Sequence, residues 1–98
     1  MFKSVGMPEF YQESKRNKVT IIDVRETFEY EMGHIPESIN MPLSELGETF
    51  ETLEKEKPYF LICQSGSRSA TAGEFLGMQG YDVTNILGGM GSWPGDIE

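Results

Sequence analysis

Positive charge is scarce in this sequence: 8 Lys and Arg stand against 16 Asp and Glu over 98 residues, a net charge of −8. A field of that sign repels phosphate backbones and anionic lipid, so nucleic acid and membrane drop out as partners. Cysteine is scarcer still, with Cys63 alone. No intrachain disulfide can form, and without a CxxC pair or a Cys/His cluster there is no structural metal site. Long apolar runs are missing as well. The longest unbroken one, Tyr59 to Cys63, falls far short of the roughly 20 residues of a membrane span. The opening MFKSVGMPEF lacks the apolar segment of a signal peptide. These absences together lead us to expect a cytoplasmic chain in a reducing compartment. No repeat, low-complexity tract or linker divides residues 1–98, which read as a single domain.

What is present alternates between strand and helix signals. Pro8 suits a first helical turn, and the reading is a helix over Pro8 to Arg16. Val19 to Val24 (VTIIDV) is β-branched and apolar on both faces, the pattern of a central strand covered from both sides. Thr27 is placed to cap a short helix through Met32, with Gly33 ending it. Ile39 to Met41 makes a minimal strand closed by Pro42. Ser44 then caps a helix in which Leu46, Phe50 and Leu53 share a face. Tyr59 to Cys63 (YFLIC) is a second buried strand, Ser69 to Gln79 the best helix, and Asp82 to Leu87 a last strand. Strands separated by helices pair in parallel through right-handed crossovers, giving a three-layer α/β domain with helices on both faces. In such sheets ligands bind beyond the strands' carboxyl ends. Asp23 to Arg25, Asn40 to Pro42, Cys63 to Arg68 and Gly88 to Met90 all fall at strand ends and are expected on one edge.

Cys63 closes an apolar strand and is followed by Gln64, Ser65, Gly66, Ser67, Arg68 and Ser69, with a helix starting immediately after. Small residues let the backbone curl, so that amides from Gln64 to Ser69 turn inward as an anion nest at a helix N-terminus. That setting lowers a thiol pKa from about 8.5 toward about 3.5 to 7.5 and produces a reactive thiolate near neutral pH. A lone strand-end cysteine is otherwise a small buried hydrophobe. The loop composition and Arg68, the last Lys or Arg in the chain after Lys57, favour the nucleophile. Arg68 reads as the counter-charge for an anionic substrate; as a merely structural residue it would pair with Glu74.

The set Asp23-Val24-Arg25, Gly33-His34-Ile35-Pro36 running to Ile39-Asn40-Met41-Pro42, the loop CQSGSRS, and Gly88-Gly89-Met90 with Trp93 resembles the single-domain rhodaneses, in the same order and over nearly the whole chain. The resemblance implies a rhodanese-like α/β fold with a mostly parallel five-stranded sheet. It implies that Cys63 is the sulfur-carrying nucleophile and that the Gln64 to Arg68 amides cradle a persulfide. The implied reaction is sulfur transfer from thiosulfate or a persulfide donor to a thiophilic acceptor, with a sulfur-donor or acceptor protein as a further partner and no cofactor. Two positions depart from the family pattern. Glu37-Ser38 stands where Gly-Ala is usual, so a different turn shape is expected there. Gln64 stands where some relatives carry arginine, which leaves less positive charge and favours a protein or low-molecular-weight persulfide over free thiosulfate.

Asp23 and Arg25 are read as supports for this edge, through a hydrogen-bonded ion pair or contacts to neighbouring loops. His34, the sole histidine, is read as a turn residue, and Trp93 as an anchor for the last segment. The acidic stretch Glu45 to Glu56 is a solvated face or a docking surface for a basic partner. Three alternatives to a sulfurtransferase share parts of this pattern. Cysteine phosphatases and arsenate reductases place five residues between cysteine and arginine; four intervene here, which shortens the cradle by up to ~3.5 Å of chain. A non-catalytic docking module would not need Cys63 and Arg68. A dedicated sulfur carrier would share the loop chemistry and differ only in partners.

Overall fold

A computed structural model describes residues 2–98. Five strands, β1 (Lys3–Val5), β2 (Ile21–Asp23), β3 (Ile39–Asn40), β4 (Tyr59–Ile62) and β5 (Val83–Ile86), form one sheet in the order β1-β5-β4-β2-β3. Every neighbouring pair is parallel, with Ile22 opposite Leu61 and Leu61 opposite Asn85. The helices are α1 (Met7–Arg16), α2 (Thr27–Glu31), α3 (Leu46–Thr49) and α4 (Ser67–Met78).

Period-2 alternation sends the strand side chains into two cores. Ile22, Tyr59, Leu61 and Val83 pack with Leu46, Ala72 and Leu76 on the face covered by α3 and α4. Ile21, Ile62 and Ile86 pack with Met7 and Phe10 of α1 on the other, where Trp93 also lies. The expected helices on both faces are present. Cys63, one residue beyond β4, continues the alternation and falls on the α4 face.

Several local expectations are corrected. The N-terminal strand β1 carried no alternating pattern and was not anticipated; it forms because β5 offers it an edge, with Ser4 opposite Asn85. It makes β4 the middle strand, so β2 is interior but not central. Thr27 does not cap α2. Glu26 occupies that position in a reciprocal capping box with Glu29, and the Thr27 hydroxyl donates to Asn40 Oδ1 at 3.0 Å. Ser44 does not cap a continuous helix either. The segment breaks into 3₁₀ turns at Leu43–Glu45 and Phe50–Thr52 flanking the single turn α3, and the Ser44 hydroxyl donates to Glu26 Oε1 at 2.9 Å. At the turn Glu37 adopts a left-handed conformation, φ 69°. Among the described residues, no helix is long and apolar enough to cross a membrane.

Candidate active site

The chain leaves β4 at Cys63, curls through Gln64 to Gly66 and enters α4 at Ser67. Gly66 makes the curl possible: it caps α4 at φ 108°, a left-handed conformation that costs a residue with a Cβ about 1–2 kcal/mol. The turn folds the loop back over the sulfur. Gly66 N–H donates to Cys63 Sγ at 3.1 Å and Ser69 N–H donates at 3.3 Å, with the Ser69 hydroxyl also 3.3 Å away. Both backbone donors come from within the run Gln64 to Ser69. The Gln64 carbonyl accepts from Gly91 N–H at 3.0 Å. Ser67 and Arg68 stand in the first turn of α4, where backbone N–H groups have no partner within the helix.

Two opposing effects set the acidity of Cys63. The residue has no exposed surface, and burial pushes the thiol up. Hydrogen bonds from the Ser69 hydroxyl and from the Ser69, Gly66 and Ser65 amides outweigh it, so the thiol lies below its ordinary value of 9.0. Cys63 is buried, while Gln64, Ser65 and Ser67 beside it in the loop are exposed.

Contacts from behind hold the loop in place, and the sequence reading missed one of their sources. Asn85, buried on β5, sets its Oδ1 against the Ser69 hydroxyl, where it competes with Sγ for the single hydroxyl proton, and donates its amide to the Gly66 carbonyl at 3.3 Å. It thereby ties together Gly66 and Ser69, whose amides both bond Sγ. Asparagine is disfavoured in strands, so a polar residue inside VTNI was the available signal. The turn after β5 adds a second tie: Met90 N–H donates to the Cys63 carbonyl at 2.8 Å. There Gly89, at φ 59°, passes so close that a Cβ would stand 2.4 Å from that same carbonyl oxygen.

The four segments expected at the strands' carboxyl ends do converge. Asp23 and Arg25 form a buried ion pair, with Arg25 Nε 3.0 Å from Oδ1 and its NH2 group 2.8 Å from Oδ2. The same NH2 group donates to the Gly33 carbonyl at 2.8 Å. Asn40 Nδ2 bonds the carbonyls of Asp23 and Arg25, both at 3.0 Å. His34 stacks on Tyr30 with ring centroids 3.8 Å apart, and its Nδ1 lies 2.9 Å from the Tyr30 carbonyl, a local turn arrangement. Trp93 packs on Phe10 and Tyr11, tying the C-terminal segment to α1.

Arg68 does not pair with Glu74. Its guanidinium meets Glu29, 39 residues earlier on α2, through bonds of 2.7 and 3.0 Å to the two carboxylate oxygens. The Arg68 hydrogen bonds hold the Glu29 carboxyl down at about 2, against an ordinary 4.5. Glu29 was not singled out in the sequence, because nothing local links it to the cysteine loop.

A family model described as "Rhodanese-like domain" matches residues 7–96. The chain belongs to the rhodanese-like family. A putative sulfurtransferase of Bacillus subtilis strain 168, YtwF, is 41% identical over 78 residues, covering 80% of this chain and 76% of its own. The thiosulfate sulfurtransferase GlpE of Coxiella burnetii is 31% identical over 94 residues, covering 95% of this chain and 88% of its own. The crystal structure of a rhodanese-related protein from Thermoplasma volcanium superposes with a TM-score of 0.91 at 39% identity, covering 99% of this chain and 98% of that one. These matches give the rhodanese chain a sulfurtransferase-like role and agree with the sheet and helices described above.

Proposed function

We propose that this rhodanese domain moves a sulfane sulfur from a donor to a thiophilic acceptor by way of a persulfide on Cys63. The observation that carries the reading is the set of hydrogen bonds from Gly66 and Ser69 onto Sγ inside a loop wrapped around it. A thiolate held this way attacks the outer sulfur of the donor. The new S–S bond to Cys63 forms as the donor's S–S bond breaks, and the bonding pair leaves with sulfite or with a thiolate. The terminal sulfur of the enzyme persulfide carries the negative charge, and the amides of Ser67 and Arg68, which have no partner within α4, receive it. An acceptor thiolate or cyanide then removes that sulfur and regenerates Cys63. One cysteine suffices, and a persulfide carrier with no partner thiol fits a reducing cytoplasm.

Asp23 and Arg25 support this edge without touching the reacting sulfur. Arg25 fastens the end of β2 to the turn at Gly33, and Asn40 fixes the same strand end to β3. The test is sulfur loading. The chain is incubated with thiosulfate, and separately with cysteine persulfide, and intact mass is read for one added sulfur. The expected result is an adduct from at least one donor that Cys63→Ala cannot carry; no adduct from either would overturn the reading.

A further inference from the structure

Only two cations stand at the cysteine end of the sheet among the described residues, Arg25 and Arg68. The remaining ones, Lys3, Lys15, Arg16, Lys18, Lys55 and Lys57, lie at strand starts, in the segments leading into them, or in the last turn of α1. In a parallel sheet all of these positions gather at the opposite end. Arg25 is buried against Asp23 and the Gly33 carbonyl. Arg68 is half-buried in the first turn of α4, one residue before the Ser69 amide that bonds Sγ.

Both oxygens of Glu29 face the Arg68 fork in a bidentate arrangement, the strongest geometry an arginine makes with a carboxylate. Glu29 is itself held in position. Its Oε1 accepts from Glu26 N–H at 3.1 Å in the capping box, and Glu26 in turn is held by the Ser44 hydroxyl. A carboxylate anchored at one end of α2 therefore neutralises the one partly exposed cation beside Cys63, in a chain already carrying −8. An approaching dianion such as thiosulfate meets a guanidinium whose charge is balanced, and must compete with Glu29 for it.

Building on the proposed sulfur transfer, we propose that Glu29 is a specificity-determining residue: by holding Arg68 it disfavours free sulfur oxyanions as donors and leaves the site to persulfides of thiols, which bring less negative charge. Glu29 acts through Arg68 and does not touch the reacting sulfur. Its effect should fall on the KM for thiosulfate and leave kcat nearly unchanged.

The experiment measures sulfur loading of Cys63 in the full chain with thiosulfate and with cysteine persulfide. Glu29→Gln keeps an acceptor for the capping box and removes the charge. It should raise kcat/KM for thiosulfate roughly tenfold, about the size of one charge-assisted contact. Loading from cysteine persulfide should stay within about twofold, a small electrostatic change. Glu31→Gln, the same charge change on an exposed position of α2, should change neither. Adding Arg68→Gln to Glu29→Gln should abolish the gain. Glu29→Ala provides a second carboxylate-free variant should the first not fold. Equal gains in Glu29→Gln and Glu31→Gln would overturn the proposal, as would folded Glu29 variants that load thiosulfate no faster. A wild-type chain that loads from neither donor would instead remove the sulfur-transfer reading, and this inference with it.

Discussion

The two arginines at the mouth of the domain make the same bidentate pair with a carboxylate and serve opposite ends. Arg25 and Asp23 are two residues apart and fully enclosed, with side-chain exposures of 6% and 0%. Arg68 and Glu29 come together across 39 residues and keep 35% and 22% of their side chains in solvent. Desolvation separates them. An enclosed pair is costly to break from one side, because the remaining charge has no water to turn to. A half-exposed pair adds little to stability, since solvent replaces either partner. The first is a fastener of the fold. The second can be altered with small structural consequence, which makes it a place where charge can be tuned for substrate choice.

The sharpest way to break the comparison is to remove one member of the enclosed pair. Asp23→Ala leaves Arg25 buried against a single carbonyl and should cost roughly 3–5 kcal/mol. In urea titrations the midpoint should fall steeply, whereas Arg68→Ala should shift it by no more than about 1 kcal/mol. Equal losses in the two variants would mean that exposure does not decide the role of the pair.

Next in size is the loop support. Asn85→Ala leaves the Gly66 carbonyl without its amide donor and Ser69 without its acceptor, and should cost about 1–3 kcal/mol. Ser69→Ala removes the hydroxyl bond to Sγ while keeping the amide. The Cys63 thiolate, followed by its ultraviolet absorbance, should titrate below 9.0 in the wild type and higher in Ser69→Ala than in the wild type. A thiol depressed in the folded state stabilises fully above its unfolded value and loses that contribution as pH falls through the folded one. The gap between wild type and Ser69→Ala should therefore widen as pH rises toward 9.0. A gap that stays flat with pH would show that Ser69 holds the loop without stabilising the anion.

These residues also mark what could be read without coordinates. The loop Cys63 to Ser69 was legible because its signals are local: an apolar strand, small residues, then helix periodicity. The placement of Asp23 and Arg25 was legible for the same reason, since two residues of separation at a strand end nearly fix their geometry. Glu29 and Asn85 were not, because each reaches the loop through tertiary packing that no spacing in the sequence encodes. The strand β1 was missed because three residues with one exposed edge carry no alternation. Asn40, in contrast, was included with the converging segments, but its bonds to the Asp23 and Arg25 carbonyls were not foreseen.

The smallest effect sharpens the comparison most directly, because it isolates the exposed pair by pH alone. Glu29 titrates at about 2 in the folded chain against an ordinary 4.5. A carboxyl lowered on folding contributes its stabilisation fully above 4.5 and loses it as pH falls through about 2. Wild type and Glu29→Gln, compared by urea unfolding, should therefore differ by a constant amount, no more than about 1 kcal/mol, from neutral pH down to pH 5. Below that the two curves should draw together as Glu29 takes up its proton and Arg68 loses its partner. If the wild-type advantage over Glu29→Gln instead persisted unchanged to pH 2, the carboxylate would not be what holds Arg68. The charge-masking role of Glu29 would then lose its physical basis.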